Sequence, residues 1–189
     1  MNRSFNASIV DHTSMAKEPD IGPSPPANRP GNKITLEQTY RATPRELWDL
    51  WTTRKGLESW WSPEGFITKV RRLEVSPGGK FEYEMTATGS EQVQALKEAN
   101  LPLTSRAHGS YKEVRAPKRL VYKTIAGFIP GVTPYEIATL VEFQVAPGGT
   151  KLTVIQDAMH NEEWTRMSEM GMGSSLDKLI KVAEGKRKT

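Results

Sequence analysis

The chain has 189 residues, of which 37% are hydrophobic and 25% charged, and its formal net charge is +4. This length and composition predict one globular domain with some appended sequence. The absence of cysteine excludes disulfides, thiol nucleophiles and thiolate metal sites, and it favours a cytoplasmic setting. With three histidines a histidine-rich metal centre is excluded. No apolar run approaches the roughly 18 residues that a membrane span needs, so we expect no membrane insertion.

Charge and low-complexity patterns divide the chain into three segments. Residues 1–32 hold five prolines and many small polar residues without periodicity, which predicts a disordered N-terminal tail. The folded domain is predicted to span residues 33–185, and the basic residues 186–189 are predicted to be a frayed C-terminus. Elsewhere the basic residues alternate with acids instead of forming the stripe that phosphate binding requires, so we expect no nucleic-acid partner.

The folded part is predicted to begin with a strand and two helices. Apolar residues alternate along the stretch that starts at Ile34, as they do in a strand. The stretch Thr43-Pro44-Arg45-Glu46 is a capping box with proline at the first helical position. We interpret Gly56 as a break, after which a second short helix runs up to Pro63.

From Gly65 to Ala158 the pattern changes to strands and turns. The predicted strands cover 65–75, 80–88, about 105–114, 119–127, 135–146 and 150–158. Pro77-Gly78-Gly79 and Pro147-Gly148-Gly149 are short connections, so the strands that they join are predicted to be antiparallel neighbours. Residues 89–104 are interpreted as a helix-like insertion, either a lid over one rim of the sheet or an inert decoration.

The last predicted element is a long amphipathic helix. Asn161 is its predicted N-cap, glutamates occupy its first turn, and it runs to about Ala183. Its predicted apolar face includes Met167, Gly171 and Leu176. The order of elements predicts an α+β fold, in which a curved antiparallel sheet of about six to seven strands packs around this helix.

Four stretches carry a resemblance to a known family. They are Ala42-Thr43-Pro44 through Trp48 with Trp60-Trp61-Ser62-Pro63-Glu64-Gly65; Pro77-Gly78-Gly79 with Phe81; Gly109-Ser110-Tyr111-Lys112-Glu113-Val114 with Pro117, Arg119 and Leu120; and Gly149-Thr150-Lys151-Leu152-Thr153-Val154 with Gly171, Leu176 and Leu179. In this order, over about 34–183, they resemble the bacterial homologues of the activator of the heat-shock-protein-90 ATPase, in the START-like (SRPBCC) superfamily. Gln156 and Met172 stand where such proteins often carry histidine and tryptophan.

The resemblance implies a helix-grip fold with a cavity between the sheet and the C-terminal helix. It also makes a chaperone a candidate partner and the stress response a candidate setting. It implies no single chemistry, because the superfamily includes lipid carriers, hormone-binding proteins, aromatase/cyclases and co-chaperones.

The candidate ligand site follows from strand alternation and from the final helix. Alternation sends Phe81, Tyr83 and Met85 to the face that meets the helix, and Gly171 indicates either close helix–sheet packing or room for a bound molecule. The predicted ligand-binding residues are Trp60, Trp61, Phe66, Phe81, Tyr83, Met85, His108, Tyr122, Thr139, Gln156, Met167, Gly171 and Ser175.

A mostly apolar lining with a few polar groups predicts the binding of a small hydrophobic molecule by a monomer or homodimer. Two alternatives stay open: a cyclase/dehydratase or hydrolase that uses the same cavity, and a co-chaperone-like interaction domain. An enzyme would draw on His108, Tyr83 and Tyr122. Because no catalytic constellation is recognisable, non-enzymatic binding without cofactor or metal is favoured.

Overall fold

A computed structural model describes residues 33–129 and 131–185. The predicted tail at 1–32 and the predicted frayed end at 186–189 lie outside the described residues. Along the described chain the elements are β1 (Lys33–Tyr40), α1 (Pro44–Thr52), α2 (Arg54–Trp60), β2 (Phe66–Leu73), β3 (Lys80–Ala87), α3 (Ser90–Glu98), β4 (Thr104–Arg115), β5 (Arg119–Ala126), β6 (Tyr135–Ala146), β7 (Gly149–Asp157) and α4 (Glu162–Gly185).

The strands form one curled antiparallel sheet in the order β1-β7-β6-β5-β4-β3-β2. Both Pro-Gly-Gly turns join antiparallel neighbours, β2 with β3 and β6 with β7, as the sequence predicts. The strands β1 and β2 lie at opposite edges, so the α1–α2 pair that connects them crosses the sheet. The α+β class and the helix-grip arrangement, with short helices after the first strand and a long final helix, are confirmed.

Local signals explain the start of α1 and α2. The predicted capping box is present: the Thr43 N–H donates to Glu46 Oε2 at 2.7 Å, and the Glu46 N–H donates to Thr43 Oγ1 at 3.2 Å. The break between the helices lies at Thr53 and not at Gly56, which is inside α2. A Cβ atom on Gly56 would lie 2.6 Å from the carbonyl oxygen of Leu50, so this glycine permits the close approach of the two helices.

The buried residues of the long helix α4 lie in its C-terminal half, and its N-terminal half contacts the sheet region through Trp164 and Ser168. Asn161 caps it as predicted, since its Oδ1 accepts a hydrogen bond from the Trp164 N–H at 2.9 Å. The side chains of Leu176 and Leu179 are buried. Met167, which the periodicity places on the packed face, is 43% exposed, so that part of the prediction is wrong. None of the described helices is long and apolar enough to cross a membrane.

The edge strand β2 has its free backbone groups covered by α2. The Val70 N–H donates to Glu58 Oε1 at 2.8 Å, and the Arg54 guanidinium donates to the Val70 carbonyl oxygen. The Arg54 guanidinium also reaches the Arg71 carbonyl oxygen at 3.4 Å. These contacts occupy backbone groups of Val70 and Arg71 that an added strand would use for pairing.

The two faces of the sheet differ in chemistry. The inner face, toward the helices, carries the main apolar core. The outer face carries ion pairs such as that of Glu84 with Arg106, at 2.9 Å. The predicted insertion forms α3, and none of its residues is buried.

Candidate functional site

A pocket lies between the α1–α2 pair and the inner face of strands β2 to β5. Its volume is about 30 Å³. The lining residues are Trp51, Leu57, Trp61, Thr68, Val70, Arg72, Leu73, Phe81, Glu82, Tyr83, Tyr111, Leu120 and Tyr122. Six of them are aromatic, and we call this space the aromatic pocket. A volume of this size holds about one or two waters, whereas organic ligands occupy pockets of about 300–1,000 Å³.

Strand register brings the lining residues together. Tyr83 lies opposite Val70, and Tyr122 lies opposite Tyr111, so each pair points to one face. In β2 the register shifts by one residue between Val70 and Arg72. Because of this bulge, Val70 and Leu73 both line the pocket although simple alternation would separate them.

The aromatic rings support one another at short range. Phe81 lies at the centre of the sheet side, with ring centroids 5.3 Å from Tyr111 and 5.7 Å from Tyr122. From the helical side, Trp61 contacts Tyr83 at 5.8 Å in an edge-to-face arrangement. Edge-to-face pairs at these separations are favourable beyond the area that they bury, so the pocket has well-ordered walls.

Burial controls the protonation of the pocket tyrosines. It raises the pKa of the Tyr122 hydroxyl well above its usual value of 10.0, and it also raises the pKa of Tyr111. Thr139 lies opposite Tyr122 in the neighbouring strand β6, and its side chain lowers that pKa in part. The two side chains do not form a well-aligned hydrogen bond. The phenols therefore stay protonated near neutral pH and can donate hydrogen bonds, but they do not supply a general base.

Four of the predicted site residues line the pocket: Trp61, Phe81, Tyr83 and Tyr122. The pocket's place differs from the expectation, because no residue of α4 contributes to it. The physical reason is that Leu176 joins the same apolar core as the sheet, so the packed half of α4 fills the space that it faces.

Other predicted residues of the sheet and α2 lie outside the pocket. Trp60 is fully buried and its indole N–H donates to the Leu50 carbonyl oxygen at 3.0 Å, so it anchors the helix pair. Phe66 and Met85 are half-buried, and Thr139 is buried beside Tyr122.

The structure places His108 outside the pocket, against the prediction. A Cβ atom on its neighbour Gly109 would meet the Phe81 ring at 2.4 Å, so Gly109 faces inward and His108 faces outward. The side chain of His108 is exposed. It therefore cannot reach the pocket tyrosines as a general base, and it does not belong to the site.

The predicted polar groups near α4 are already engaged. Gln156 Nε2 donates to Ser168 Oγ at 2.8 Å, and the Ser175 hydroxyl donates to the Gly171 carbonyl oxygen at 3.0 Å. A Cβ atom on Gly171 would meet nothing within 4 Å, which removes close helix–sheet packing as the reason for this glycine. Met167 is exposed and is not among the residues that line the aromatic pocket.

Sequence reasoning missed nine lining residues. Some of them carried a signal in the sequence: Trp51 lies one helical turn after Leu47, and Tyr111 lies two residues from Gly109, which faces inward. Leu73 carried none, because its direction depends on the bulge in β2. The missed residues are Trp51, Leu57, Thr68, Val70, Arg72, Leu73, Glu82, Tyr111 and Leu120.

Within residues 33–129 and 131–185, no group of three or more histidine, aspartate or glutamate side chains is arranged to hold a metal ion. The aromatic pocket offers hydroxyl and indole groups together with Arg72 and Glu82 on its boundary. Its lining is mostly apolar and includes a few hydrogen-bond donors.

Comparisons with solved structures show the same fold in proteins from several organisms. A protein from Chromobacterium violaceum is 22% identical, with a TM-score of 0.67, over 81% of this chain and 97% of that chain. The AHSA1 protein from Silicibacter pomeroyi is 19% identical, with a TM-score of 0.62, over 79% and 95%. An AHSA1-like protein from Aeromonas hydrophila is 19% identical, with a TM-score of 0.61, over 81% and 94%. At these identities the likeness concerns the fold alone.

A search of curated proteins finds no match to this chain. The sequence model of one family, described as Activator of Hsp90 ATPase homolog 1-like protein, matches residues 41–184. This span runs from the turn before α1 to the end of α4 and so includes every helix and all strands except β1. The chain therefore belongs to the family of Activator of Hsp90 ATPase homolog 1-like proteins, as the resemblance of its motifs predicts.

Proposed function

We propose that this protein binds a small, mainly apolar molecule in the aromatic pocket. The observation that carries the proposal is the concentration of six aromatic side chains around one space on the inner face of the sheet. Aromatic and aliphatic walls with a few polar groups are typical of small-molecule sites. The absence of cysteine favours a cytoplasmic setting for this binding.

Binding an organic molecule requires the pocket to enlarge, because its volume is about 30 Å³. Trp61 is the side chain best placed to move. It is half-buried, it lies just after the last residue of α2, and it contributes the helical wall opposite Tyr83. In the closed state its ring occupies part of the space that a ligand would take, as in other sites that open on binding.

The segment after Trp61 is tied to α4. The Glu64 N–H donates to Ser174 Oγ at 3.1 Å, and the Lys178 ammonium lies 3.4 Å from both Ser62 Oγ and the Phe66 carbonyl oxygen. A ligand that displaces Trp61 therefore acts on a segment that contacts the final helix. This supports a role for α4 in binding even though it does not line the closed pocket.

The test uses the fluorescent neutral probe 1-aminoanthracene with the full chain. Trp61→Ala should bind the probe about tenfold more tightly than the unsubstituted protein, because no ring has to be displaced. The matched control is Trp164→Ala, which removes a half-buried tryptophan that contacts Phe128 away from the pocket. Circular dichroism confirms folding, and Trp61→Leu serves if the alanine variant unfolds. Equal affinities in the Trp61 and Trp164 variants, or no binding in any of them, would reject the proposal.

Family membership supports a second candidate, interaction with a chaperone of the Hsp90 class. The test is to add the full chain to such a chaperone and to measure both complex formation and the ATPase rate. A rise in the rate that depends on the concentration of this protein would support the candidate. No complex and an unchanged rate would remove it.

A further inference from the structure

Three buried polar atoms without hydrogen-bond partners belong to residues that line the aromatic pocket. They are Trp51 Nε1, Thr68 Oγ1 and the Tyr122 hydroxyl oxygen. The residues that carry these atoms are 2%, 6% and 4% exposed, so the atoms do not form hydrogen bonds with bulk water. Buried polar groups in native proteins are nearly always paired, and each exception calls for an explanation.

These three atoms are set apart from the other unpaired atoms of the described chain. Two of the others, on Glu113 and Arg119, belong to side chains that form an ion pair at 3.3 Å. The last is His160 Nδ1, on a half-buried ring near the start of α4. The unpaired atoms of the neutral inner core are therefore concentrated at one pocket.

The donor chemistry of the three atoms limits what can satisfy them. An indole N–H can only donate a hydrogen bond, and hydroxyl groups can donate as well as accept. A bound molecule that pairs with the indole N–H must offer a hydrogen-bond acceptor, and the two hydroxyls can donate to such an acceptor as well. Arg72, the cation on the pocket boundary, is already paired with Glu74 at 2.7 Å. No unpaired cation is then left among the lining residues for a carboxylate, and burying an unpaired carboxylate is costly.

We propose that the aromatic pocket takes a neutral molecule whose apolar body carries a carbonyl or similar oxygen. That oxygen has two lone pairs and accepts hydrogen bonds from one or two of the three donors, which are the Tyr122 hydroxyl, the Thr68 hydroxyl and the Trp51 indole. The inference rests on the proposed binding function and adds the chemical class of the ligand. The aromatic walls hold the body of the molecule, and the donors orient its oxygen.

The test compares two molecules of nearly the same shape, acetophenone and α-methylstyrene, in which a CH2 group replaces the carbonyl oxygen. Affinities are measured for the full chain by NMR titration. Acetophenone should bind about fivefold to tenfold more tightly, the ratio that one or two net hydrogen bonds produce. The indole N–H resonance of Trp51 should move downfield with acetophenone alone.

Variants locate the effect. Tyr122→Phe and Thr68→Val should each reduce the affinity ratio by about threefold, because each removes one donor without removing apolar volume. Tyr40→Phe is the matched control: its hydroxyl donates to the Leu176 carbonyl oxygen at 3.3 Å, away from the pocket, so the ratio should not change.

Three results would overturn the inference in different ways. Equal affinities for the two molecules in the unsubstituted protein would reject the carbonyl class and leave the apolar binding function intact. A bound water detected at the Trp51 indole N–H together with equal affinities would identify water as the partner. Failure of both molecules to perturb any pocket resonance would reject the binding function as well.

Discussion

The aromatic pocket and the rest of the buried interior treat the same types of side chain in opposite ways. Away from the pocket, a buried indole, phenol and threonine hydroxyl each donate to a backbone carbonyl oxygen, at 3.0, 3.3 and 2.7 Å. Around the pocket, one of each type has no partner. The three comparisons set a hydrogen-bonded side chain beside one of the same type without a partner: Trp60 and Trp51, Tyr40 and Tyr122, and Thr150 and Thr68.

This difference separates two uses of polar groups in an apolar core. A paired hydroxyl joins two elements, as Thr150 Oγ1 does where it holds the Ala42 carbonyl oxygen next to the start of α1. An unpaired hydroxyl contributes nothing to folding and lowers the free energy of unfolding by its lost hydration. Substitutions that remove one hydroxyl at a time therefore distinguish the two regions.

The largest expected effect on the free energy of unfolding is away from the aromatic pocket, where α4 packs on the core. Leu179→Ala should lower the free energy of unfolding by about 3 kcal/mol, since Leu179 has 0% exposure and its loss leaves a cavity in the core. Urea denaturation measures this change. The control Met170→Ala, on the same helix at 53% exposure, should change stability by less than about 0.5 kcal/mol. Similar losses in both variants would mean that α4 is not anchored through its C-terminal half.

The threonine pair gives the next effect. Thr150→Val should lower the free energy of unfolding by about 1–2 kcal/mol, because it leaves the Ala42 carbonyl oxygen buried without its hydrogen bond. Thr68→Val should leave stability unchanged or raise it by about 0.5 kcal/mol, because an unpaired hydroxyl is exchanged for a methyl group in apolar surroundings. Thermal unfolding of the two variants side by side decides the matter. A clear loss in Thr68→Val would show that its hydroxyl has a structural partner.

The tyrosine pair should show a smaller contrast of the same sign. Tyr40→Phe should cost about 0.5–1 kcal/mol through the lost bond to Leu176, whereas Tyr122→Phe should be neutral within about 0.5 kcal/mol. Denaturant midpoints of both variants, compared at equal slope, measure the difference. A larger loss in Tyr122→Phe than in Tyr40→Phe would contradict the comparison.

The smallest expected effect is the change of stability with pH, because the phenols stay protonated below their ordinary pKa of about 10. Burial raises the pKa of the hydroxyl of Tyr40, Tyr83, Tyr111, Tyr122 and Tyr135 in the folded state. Their contribution to stability is then fully present below the unfolded pKa of about 10 and is lost as the pH rises toward the folded values. Tyrosinate absorbance should stay low to about pH 10 and then appear together with unfolding. Separate titration of Tyr83, Tyr111 or Tyr122 in the folded protein well below that pH would show an open pocket.

Local chemistry made most of the fold predictable. The Thr43–Glu46 capping box, the two Pro-Gly-Gly turns and the Asn161 cap each depend on neighbours in the chain, and each lies where the sequence places it. The candidate site was predictable in part. Alternation along β3 identified Phe81 and Tyr83 correctly, because a regular strand fixes the direction of its side chains.

The remaining site residues depend on tertiary structure. The bulge after Val70 changes which residues of β2 point inward, and the residue types around it do not indicate a bulge. The depth to which α4 packs is also set by the whole core. Met167 lies on the apolar face by periodicity, yet it is exposed, because the buried residues of α4 lie between Ser175 and Ala183.

The contacts of Arg54 and Glu58 with the backbone of β2 bear on how copies of this protein can associate. A sheet grows into a fibre only when each added molecule offers a fresh edge to the next. Here α2 blocks one of the two edges, so a molecule that joined through β1 would present its own blocked β2 on the far side. Growth by strand addition at β2 therefore requires the contacts of Arg54 and Glu58 with the backbone of this strand to be broken first.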